Sequence, residues 1–265
     1  MEKKGGDLED RIQFAMDVIR RSGEEALLYY GKGSEKVSFD EGLVTEAELH
    51  LTDFFQSELY RRFPDHQLYG NNEERQTYSH DESRYLWVFD PMDGVANFQA
   101  GIPIWGMSLA LIENFWPIFG AFYMPLTGDL FHTRAGQAAH RNDNVVRISP
   151  RETIDDESLL LTYSRFHHHF KTDFPGKMRN LGCTTAHICY VAMGRAEGAL
   201  LRNETYQGLA AARVLIESAG GKIFKLNGKE LFLNEYLSGE RIDESLLVVA
   251  PQIYGEVSSY LHENN

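Results

Sequence analysis

Apolar positions near the N-terminus recur at the spacing of an α-helix. Ile12, Ala15, Met16 and Ile19 fall on one face of such a helix, and Asp7 precedes them in a position that suits an N-cap. Because steps of three and four residues bring side chains onto one stripe, the pattern predicts a first amphipathic helix with this face buried.

A second helix is predicted after a turn-rich stretch over 31–42. Thr45 and Glu48 have the Thr-x-x-Glu spacing of a capping box, in which the two side chains bind free backbone amides at the start of a helix. The apolar stripe that follows contains Leu51, Phe54, Phe55 and Leu59. Two helices therefore precede the first clear strand.

Short apolar runs bounded by Gly, Pro or Asn predict strands in the middle of the chain. These runs cover 85–89, 107–112, 117–124 and 129–133. A polar connector over 141–157 follows, and beyond it strands and helices alternate. The later elements are predicted as a strand at 158–162, a helix at 184–193, a strand at 197–201, a helix at 207–219, a strand at 246–250 and a helix at 254–261. The pattern indicates an α/β (α+β) chain that forms a single domain with two closely packed lobes, about 1–145 and about 146–265.

The composition is that of a globular protein with a strong negative charge. Of the 265 residues, 43% are hydrophobic and 25% are charged, which argues against disorder, and the formal net charge is -13. Such a charge repels nucleic-acid backbones, and no basic patch interrupts it, so we expect no nucleic-acid partner. An acidic protein suits the binding of divalent cations, although acidic surfaces are also common on proteins without such a site.

The sequence pattern shows no targeting signal and no membrane span. No N-terminal run combines a basic start with an apolar core, and the longest apolar stretches have the length of strands. The two cysteines, Cys183 and Cys189, lie in a predicted helix on different sides, out of disulfide reach. We therefore expect a soluble protein of a reducing, cytoplasmic compartment, with no membrane partner.

A paired-aspartate motif follows the first predicted strand. Asp90 and Asp93 stand three positions apart across Pro91, and Gly94 follows them. Two such carboxylates, with the carbonyl oxygen of Met92, can converge on Mg²⁺, which prefers oxygen ligands and keeps waters that a substrate phosphate can replace. A helix that begins after Gly94 would direct its free amides at an anion beside the cation. The same residues also suit an ordinary turn, in which Asp and Gly serve only the backbone conformation.

Two glutamates upstream are further candidates. Glu73 and Glu74 follow Gly70-Asn71-Asn72 in a predicted loop after the second helix. A glutamate that arrives there would complete a cation site, whereas an adjacent glutamate pair by itself commonly faces solvent.

Signature-like segments relate this motif to a known family. The run from Trp87 to Phe98 resembles the first signature of the inositol monophosphatase family, and the segment from Ala210 to Gly221 resembles its second. The turn at 134–136 and the stretch 182–194 fit the family's order and spacing between them. The resemblance spans nearly the whole chain. It implies the layered α-β-α-β-α sugar-phosphatase fold, and a homodimer.

The resemblance also implies a ligand set for Mg²⁺. In the family, acidic residues hold two or three Mg²⁺ ions that bind a phosphate ester, activate water and stabilise the leaving alkoxide. Glu73 matches a metal-binding glutamate, and Glu74 is the neighbouring alternative if the loop is shifted. Asp90 matches the bridging ligand, Met92 a residue that binds through its carbonyl, and Asp93 a ligand of the second site. One cation site is expected to be complete, with Glu73, Asp90 and Asp93 as catalytic residues.

Two positions close to the motif depart from the family pattern. The family has a threonine after Asp-Gly, and its hydroxyl helps to activate the attacking water. Val95 stands there in this chain, so that the backbone amide is kept and the hydroxyl is lost. The acidic partner of that threonine matches Glu48, so the resemblance makes Glu48 a further candidate catalytic residue. Glu48 is one methylene longer than the family's aspartate, and it also fits the capping box with Thr45. We expect phosphate to bind at Gly94 and Val95, and the activation of water to be weaker.

A third departure removes a carboxylate. The Trp-Asp pair at the start of the family's second signature matches Gln207 and Gly208, so a ligand of the second cation is missing. Glu204, four positions earlier, either reaches the site from a rearranged loop or lies in a solvated loop, and we expect the solvated loop. Leu201 matches a position where many members have a glutamate that touches substrate hydroxyls, which argues against ordinary polyol recognition.

Two other segments contain polar side chains of interest. The resemblance implies that Cys183 and Thr184 line the substrate pocket, and simple capping of a helix explains the same residues equally well. The three histidines at 167–169 cannot readily face one ion in regular structure, and we expect an exposed loop there. The sequence has no nucleophile elbow, P-loop or dinucleotide fingerprint.

Two functions follow as hypotheses. The first is a Mg²⁺-dependent phosphomonoesterase acting on a small phosphorylated metabolite, such as an inositol phosphate or a sugar phosphate. We expect it to be slow or specialised, because Val95 lacks the hydroxyl that helps to activate water. General acid–base catalysis typically contributes about 10²- to 10⁴-fold to a rate, so a weaker activation slows the reaction by part of that factor. The second is a catalytically inactive member of the family that binds a phosphorylated metabolite or a protein partner.

Overall fold

The computed structural model describes residues 3–31, 46–70, 85–149 and 153–264. The helices in these ranges are α1 Lys3–Leu27, α2 Glu46–Arg62, α3 Val95–Ala100, α4 Phe166–His169, α5 Thr184–Ala192, α6 Tyr206–Ser218 and α7 Tyr254–Ser259. Two short 3₁₀ turns lie at Leu233–Tyr236 and Pro251–Ile253. The strands are β1 Gln67–Leu68, β2 Tyr85–Asp93, β3 Gly106–Glu113, β4 Trp116–Met124, β5 Asp129–Arg134, β6 Ala139–Arg141, β7 Asn144–Val146, β8 Leu159–Thr162, β9 Phe170–Thr172, β10 Lys177–Arg179, β11 Gly198–Leu201, β12 Lys222–Lys225, β13 Leu246–Val249 and β14 Leu261–Glu263.

The first sheet has seven strands in the order β1-β2-β3-β4-β5-β6-β7. The pair β1 and β2 is parallel, and every later pair is antiparallel. This is the meander that the series of short apolar runs predicts, since each strand pairs with the next one along the chain.

The second sheet has five strands in the order β10-β8-β11-β13-β12. Strands β10 and β11 both run parallel to β8, while β13 is antiparallel to both of its neighbours. Parallel neighbours require a crossover connection, and α5 lies in the connection between β8 and β11. A separate two-stranded pair is formed by β14 and β9.

Alternating side chains of β2 place the first sheet between two helix layers. Trp87 and Phe89 belong to a buried cluster with residues of α1 and α2, whereas Leu86 and Val88 belong to a cluster with α5 and α6. Because both faces of the strand are covered, its sequence is a continuous apolar run rather than an alternating one.

The second sheet is covered on both faces in the same way. Ala199 and Val248 face the cluster with α5 and α6, and Leu200 and Leu247 face a third cluster that includes Val257 of α7. The order of layers is therefore α1/α2, first sheet, α5/α6, second sheet, α7. This confirms the layered α-β-α-β-α sugar-phosphatase fold that the resemblance implies.

Several predicted elements have different bounds in the structure. Helix α1 begins at Lys3, so Asp7 lies within the helix and not at its N-cap, because a capping residue favours a start without preventing hydrogen bonds further upstream. Strand β2 continues through Pro91 to Asp93, since pairing with β3 resumes at Gly106 after an irregular register that accommodates the proline. The predicted polar connector over 141–157 contains β7, which pairs with β6 just before it.

Two other predictions concern cysteines and membrane spans. Cys183 and Cys189 are free, as their spacing predicts, and the structure shows that both are buried. Among the described residues, no helix has the length and apolar character that crossing a bilayer requires.

Candidate active site

The paired aspartates lie where the first sheet meets the helix layer between the two sheets. Asp90 pairs with Ser108 in the β2–β3 ladder, and Asp93 is the last residue of β2. Helix α3 begins at Val95, directly after Gly94. The starts of α5 and α6 approach the same corner, so residues far apart in the sequence come together there.

Asp93 connects β2 to the N-terminus of α5. Its Oδ1 accepts a hydrogen bond from the amide of Thr184 at 3.0 Å, and its Oδ2 accepts one from the amide of Thr185 at 2.5 Å. These amides have no partner within the helix, and the helix dipole favours a negative charge beside them. The N-cap residue Cys183 makes no side-chain cap bond, so Asp93 caps this helix from the other half of the chain.

Asn97 and two glycines hold α3 close to the start of α5. The buried Asn97 amide donates to the carbonyls of Ile104 at 2.6 Å and Leu181 at 2.7 Å. Gly94 has a φ of 91°, and a Cβ there would stand 3.0 Å from the Ile104 carbonyl oxygen. A Cβ on Gly182 would lie 2.8 Å from the Asn97 side chain. Both positions therefore require glycine for the two helix starts to approach.

Asp90 is surrounded by other carboxylates. Burial raises the pKa of Asp90 to about 7, together with the charge of Asp93 and, to a smaller extent, that of Glu48. A hydrogen bond from the Met92 amide at 3.3 Å opposes this rise. The charge of Glu48 therefore acts at the motif, whatever its role at the start of α2. Like charges brought together without a compensating cation are an arrangement that a bound metal ion would relieve.

Glu204 faces the motif, contrary to the prediction of a solvated loop. Its Oε1 accepts a hydrogen bond from the Thr184 hydroxyl at 3.1 Å. Burial, followed by the charge of Asp93, raises the pKa of Glu204 to about 8. The physical reason for the different position is that the chain turns at Asn203, which has a φ of 62°, and brings residue 204 inward.

Gly208 leaves a space between two of these carboxylates. A Cβ at this position would lie 3.8 Å from Asp90 Oδ2 and 3.9 Å from Glu204 Oε2. Carboxylate oxygens are the ligands that Mg²⁺ prefers, so the donor chemistry around this space fits that ion. Within the described ranges, no group of three or more His, Cys, Asp or Glu side chains is placed so that it could hold a metal ion. Mg²⁺ commonly binds through one or two carboxylates and keeps several waters, so a pair such as Asp90 and Glu204 suits it.

The other predicted site residues have different surroundings. Glu73 and Glu74 lie outside the described residues, and so does Thr45. Met92 is buried, and Val95 packs against the cluster formed by α1, α2 and β2. Leu201 is 1% exposed and belongs to the cluster between the sheets, so its side chain is in the core.

Residues of the second helix layer differ in what they present to the site. Burial, then the charge of Asp93, raise the pKa of the Cys183 thiol well above its usual value, which excludes a thiolate nucleophile. The Thr184 hydroxyl, in contrast, points to Glu204. His167 and His168 are exposed, as predicted, but lie in the one-turn helix α4 and not in a loop.

Two contacts at the start of α6 are absent from the sequence-based prediction. Thr205 is the N-cap of α6 and accepts a hydrogen bond from the Gly208 amide at 3.1 Å. Gln207 donates to the Phe89 carbonyl at 2.7 Å and so attaches this helix to β2 beside Asp90. The threonine before an apolar helical run was the available signal, because threonine is a preferred N-cap residue.

Comparisons with known proteins agree with this architecture. A model of the inositol monophosphatase family matches residues 7–260. A fructose-1,6-bisphosphatase/inositol-1-monophosphatase of Thermotoga maritima is 25% identical in an alignment of 264 residues that covers 94% of this chain and 98% of that protein. A histidinol-phosphatase of Chlorobaculum parvum is 27% identical in an alignment of 233 residues that covers 84% of this chain and 88% of that protein.

A solved structure shows the same fold. An IMPase of Thermotoga maritima superimposes with a TM-score of 0.78 at 22% identity, with 95% of this chain and 96% of that chain covered. At this identity the match supports the arrangement of layers, and the chemistry must be argued from the residues of the present chain.

Proposed function

The chain belongs to the inositol monophosphatase family, and on that premise we propose that it is a Mg²⁺-dependent phosphomonoesterase that acts on a small phosphorylated metabolite. The names of its relatives specify inositol monophosphate, fructose 1,6-bisphosphate and histidinol phosphate as substrates of those proteins. A phosphate ester on a small polar carrier is common to all three, and it is the substrate class that we propose for this chain.

The observation that carries the proposal is the convergence of carboxylates beside Gly208. Asp90 Oδ2 and Glu204 Oε2 lie within 3.9 Å of one point, and Thr184 joins Glu204 to Asp93. We propose Glu73, Asp90, Asp93 and the Met92 carbonyl as Mg²⁺ ligands. When bound, Mg²⁺ supplies electrostatic stabilisation of phosphoryl oxygens and lowers the pKa of a coordinated water.

The chain's own groups orient the phosphate ester. Gly94 lets the backbone at the start of α3 pass close to Ile104 and Cys183, and we propose the amides of Gly94 and Val95 as the phosphate donors. The Asp93 side chain occupies the amides of Thr184 and Thr185, which leaves α5 to position that carboxylate rather than to bind phosphate. The charge of Glu48 also acts on Asp90 and raises the pKa of that carboxyl group.

The proposed turnover is slow or specialised. Val95 carries no hydroxyl, and its side chain packs against the α1/α2 cluster, so the family's threonine contact with the attacking water is lost. Removal of one contribution to general-base activation costs about 10²- to 10⁴-fold, which is a small part of a total acceleration of at least about 10⁶-fold. Slow hydrolysis is therefore compatible with these substitutions.

Phosphate release from a panel of small phosphomonoesters tests the proposal. The panel contains an inositol monophosphate, a hexose bisphosphate and histidinol phosphate, each assayed with Mg²⁺ and with EDTA. We expect Mg²⁺-dependent release by the wild type, a loss of at least about 10²-fold in Asp90→Asn, and no change in Asp156→Asn, whose aspartate is exposed. Equal release by the wild type and Asp90→Asn would contradict the assignment of the site.

The second candidate function is an inactive member that binds a phosphorylated metabolite or a protein partner. The packing of Val95 against apolar side chains is the observation in its favour. It predicts that the same panel releases no phosphate, while calorimetry detects binding of one ester to the wild type.

A further inference from the structure

The start of α6 contains both the lost carboxylate position and a neighbouring glutamate. Thr205 is the N-cap of the helix, and Gly208 lies in its first turn. Glu204 immediately precedes the cap. The two positions are therefore fixed relative to each other by the same helix start, and both face Asp90.

Backbone contacts fix the position of Glu204. The left-handed conformation of Asn203 turns the chain before it, and the Ile242 amide donates to the Glu204 carbonyl at 2.8 Å. Residues 204 and 242 form an isolated β-bridge. The residue is thus part of an ordered turn, and its side chain leaves the backbone in a defined direction.

The two oxygens of the Glu204 carboxylate have different surroundings. Oε1 accepts the Thr184 hydroxyl at 3.1 Å, while the amide of Thr184 donates to Asp93 at 3.0 Å. Oε2 lies 3.9 Å from the point where a Cβ of residue 208 would stand, and Asp90 Oδ2 lies 3.8 Å from that same point. One oxygen is held by Thr184, and the other is directed towards the space beside Asp90.

The charges that act most strongly on Glu204 have the same sign as its own carboxylate. Asp93 and Asp90 both repel its negative charge, and the attraction of Arg241 is a smaller effect than the repulsion of Asp93. Protonation of Glu204 relieves this repulsion in the metal-free chain, whereas a cation between the carboxylates would relieve it while the side chain stays ionised. The arrangement makes sense if a cation occupies the space between the carboxylates.

We propose that Glu204 is a Mg²⁺ ligand that supplies, from the turn before α6, the carboxylate that the family places at position 208. The proposal rests on the proposed function, in which Asp90 and Asp93 bind Mg²⁺. Gly208 is part of the arrangement, because an aspartate there would direct a further carboxylate into the space between Glu204 and Asp90. The two positions are therefore alternatives for one ligand.

Binding of Mn²⁺, which is a spectroscopic substitute for Mg²⁺, tests the proposal without an activity assay. The purified full-length chain is stripped with EDTA and titrated with Mn²⁺ while free ion is followed by electron paramagnetic resonance. We expect Glu204→Gln to weaken one class of sites by at least about tenfold, and Glu240→Gln, at an exposed glutamate, to match the wild type. The double variant Glu204→Gln/Gly208→Asp is expected to regain most of the lost affinity, whereas Gly208→Asp alone gains little.

Recovery in the double variant separates a lost ligand from a misfolded chain, and circular dichroism of each variant verifies the fold. Wild-type affinity in a folded Glu204→Gln variant, together with lost binding in Asp90→Asn, would overturn the role of Glu204 and leave the proposed function intact. If neither the wild type nor Asp90→Asn binds Mn²⁺, both the proposed function and the role of Glu204 are wrong. A folded double variant that stays as weak as Glu204→Gln would also overturn the exchange of positions.

Discussion

Two individual residues at the site differ from the family pattern, and they alter the charge and the hydroxyl groups that are present there. Val95 is apolar where a hydroxyl would be useful, and Gly208 lacks a side chain beside two carboxylates. Neither change disturbs the local backbone, because α3 begins at Val95 and Thr205 still caps α6. The chemistry of the site can therefore differ from the family pattern while the fold is kept.

Val95→Thr is expected to raise the Mg²⁺-dependent turnover about tenfold or more, because the new hydroxyl could take part in orienting water near the motif. Steady-state kinetics with the best ester of the panel measures the change. Val95→Ala is the control, since it removes the apolar contacts of the valine methyl groups but adds no hydroxyl. Equal rates for the threonine and alanine variants would contradict the role assigned to position 95.

Asp90→Asn is expected to stabilise the metal-free protein at pH 8. Burial, Asp93 and Glu48 raise the pKa of Asp90 to about 7, above the value of about 3.9 in an unfolded chain. The folded state therefore binds this proton more tightly, and stability is lost as the pH rises from about 4 through 7. Asparagine does not ionise, so the variant avoids this loss of stability. We place the difference in the free energy of unfolding on the order of 1 kcal/mol, because Asp90 is only partly buried.

Urea unfolding in EDTA at pH 8 and pH 4.5 measures this difference, which should be small at the lower pH. Asp156→Asn serves as the exposed control. Added Mg²⁺ should stabilise the wild type and not Asp90→Asn, because only the wild type keeps the ligand. A less stable Asp90→Asn variant at pH 8 in EDTA would contradict the electrostatic account.

At the scale of elements, the N-terminus of α5 organises the second half of the site. It receives the Asp93 carboxylate on two amides and presents the Thr184 hydroxyl to Glu204. The loop before it is held by Asn97, and also by His187, whose Nε2 accepts a hydrogen bond from the Leu181 amide at 2.9 Å. A short helix start thus links β2, α3 and α6.

His187 is expected to make the protein sensitive to acid. Burial lowers the pKa of His187 to about 4, with Asp93 opposing the shift, whereas an unfolded histidine has a value of about 6.5. The unfolded chain therefore takes up the proton first, and stability falls as the pH drops from about 6.5 towards 4. The contribution is on the order of 3 kcal/mol, since the side chain is only 3% exposed.

The pH dependence of urea unfolding in His187→Gln checks this expectation. Glutamine can accept from the Leu181 amide but does not titrate, so the variant should lose less stability than the wild type between pH 7 and pH 4. Parallel pH profiles for the two proteins would show that His187 does not contribute.

Across the whole molecule, the helix layer of α5 and α6 joins the two sheets. The cluster around it includes Leu86 and Ala110 of the first sheet and Ala199 and Val248 of the second. The site lies at an edge of this shared layer, so its geometry depends on how both sheets pack. The division into one domain with two lobes stays a prediction, and so does the homodimer, which sedimentation equilibrium would check.

Leu209→Ala tests whether the shared layer makes unfolding cooperative. Leu209 is fully buried in that cluster, and its truncation should cost about 2–5 kcal/mol. The three tryptophans lie in or next to the first sheet, so their fluorescence reports on that sheet, while far-UV circular dichroism reports on the whole chain. We expect both urea transitions to shift together, and Leu49→Ala, at an exposed position of α2, to leave them in place. Separate transitions would indicate two independent units.

Local spacing was sufficient to predict much of the architecture. The apolar runs of β2 to β5 and the stripes of α1 and α2 are visible in the sequence, because burial of one helix face or of a strand leaves a periodic pattern. The short strands β9, β10 and β12 were not predicted, since three or four residues with few buried side chains leave too little pattern. The pair of Asp90 and Asp93 was found because the two residues lie three positions apart in one short segment, which the structure places at the end of β2.

Contacts between distant segments required the folded chain. Asp93 accepts from the amides of Thr184 and Thr185, and Glu204 lies next to the position of Gly208 and near Asp90. No periodicity relates these residues, because their proximity depends on the pairing of β2 with β3 and on the packing of α5 and α6 between two sheets. The sequence therefore indicated the family and the paired aspartates, while the inward direction of Glu204 followed from the turn at Asn203 and the Thr184 hydrogen bond.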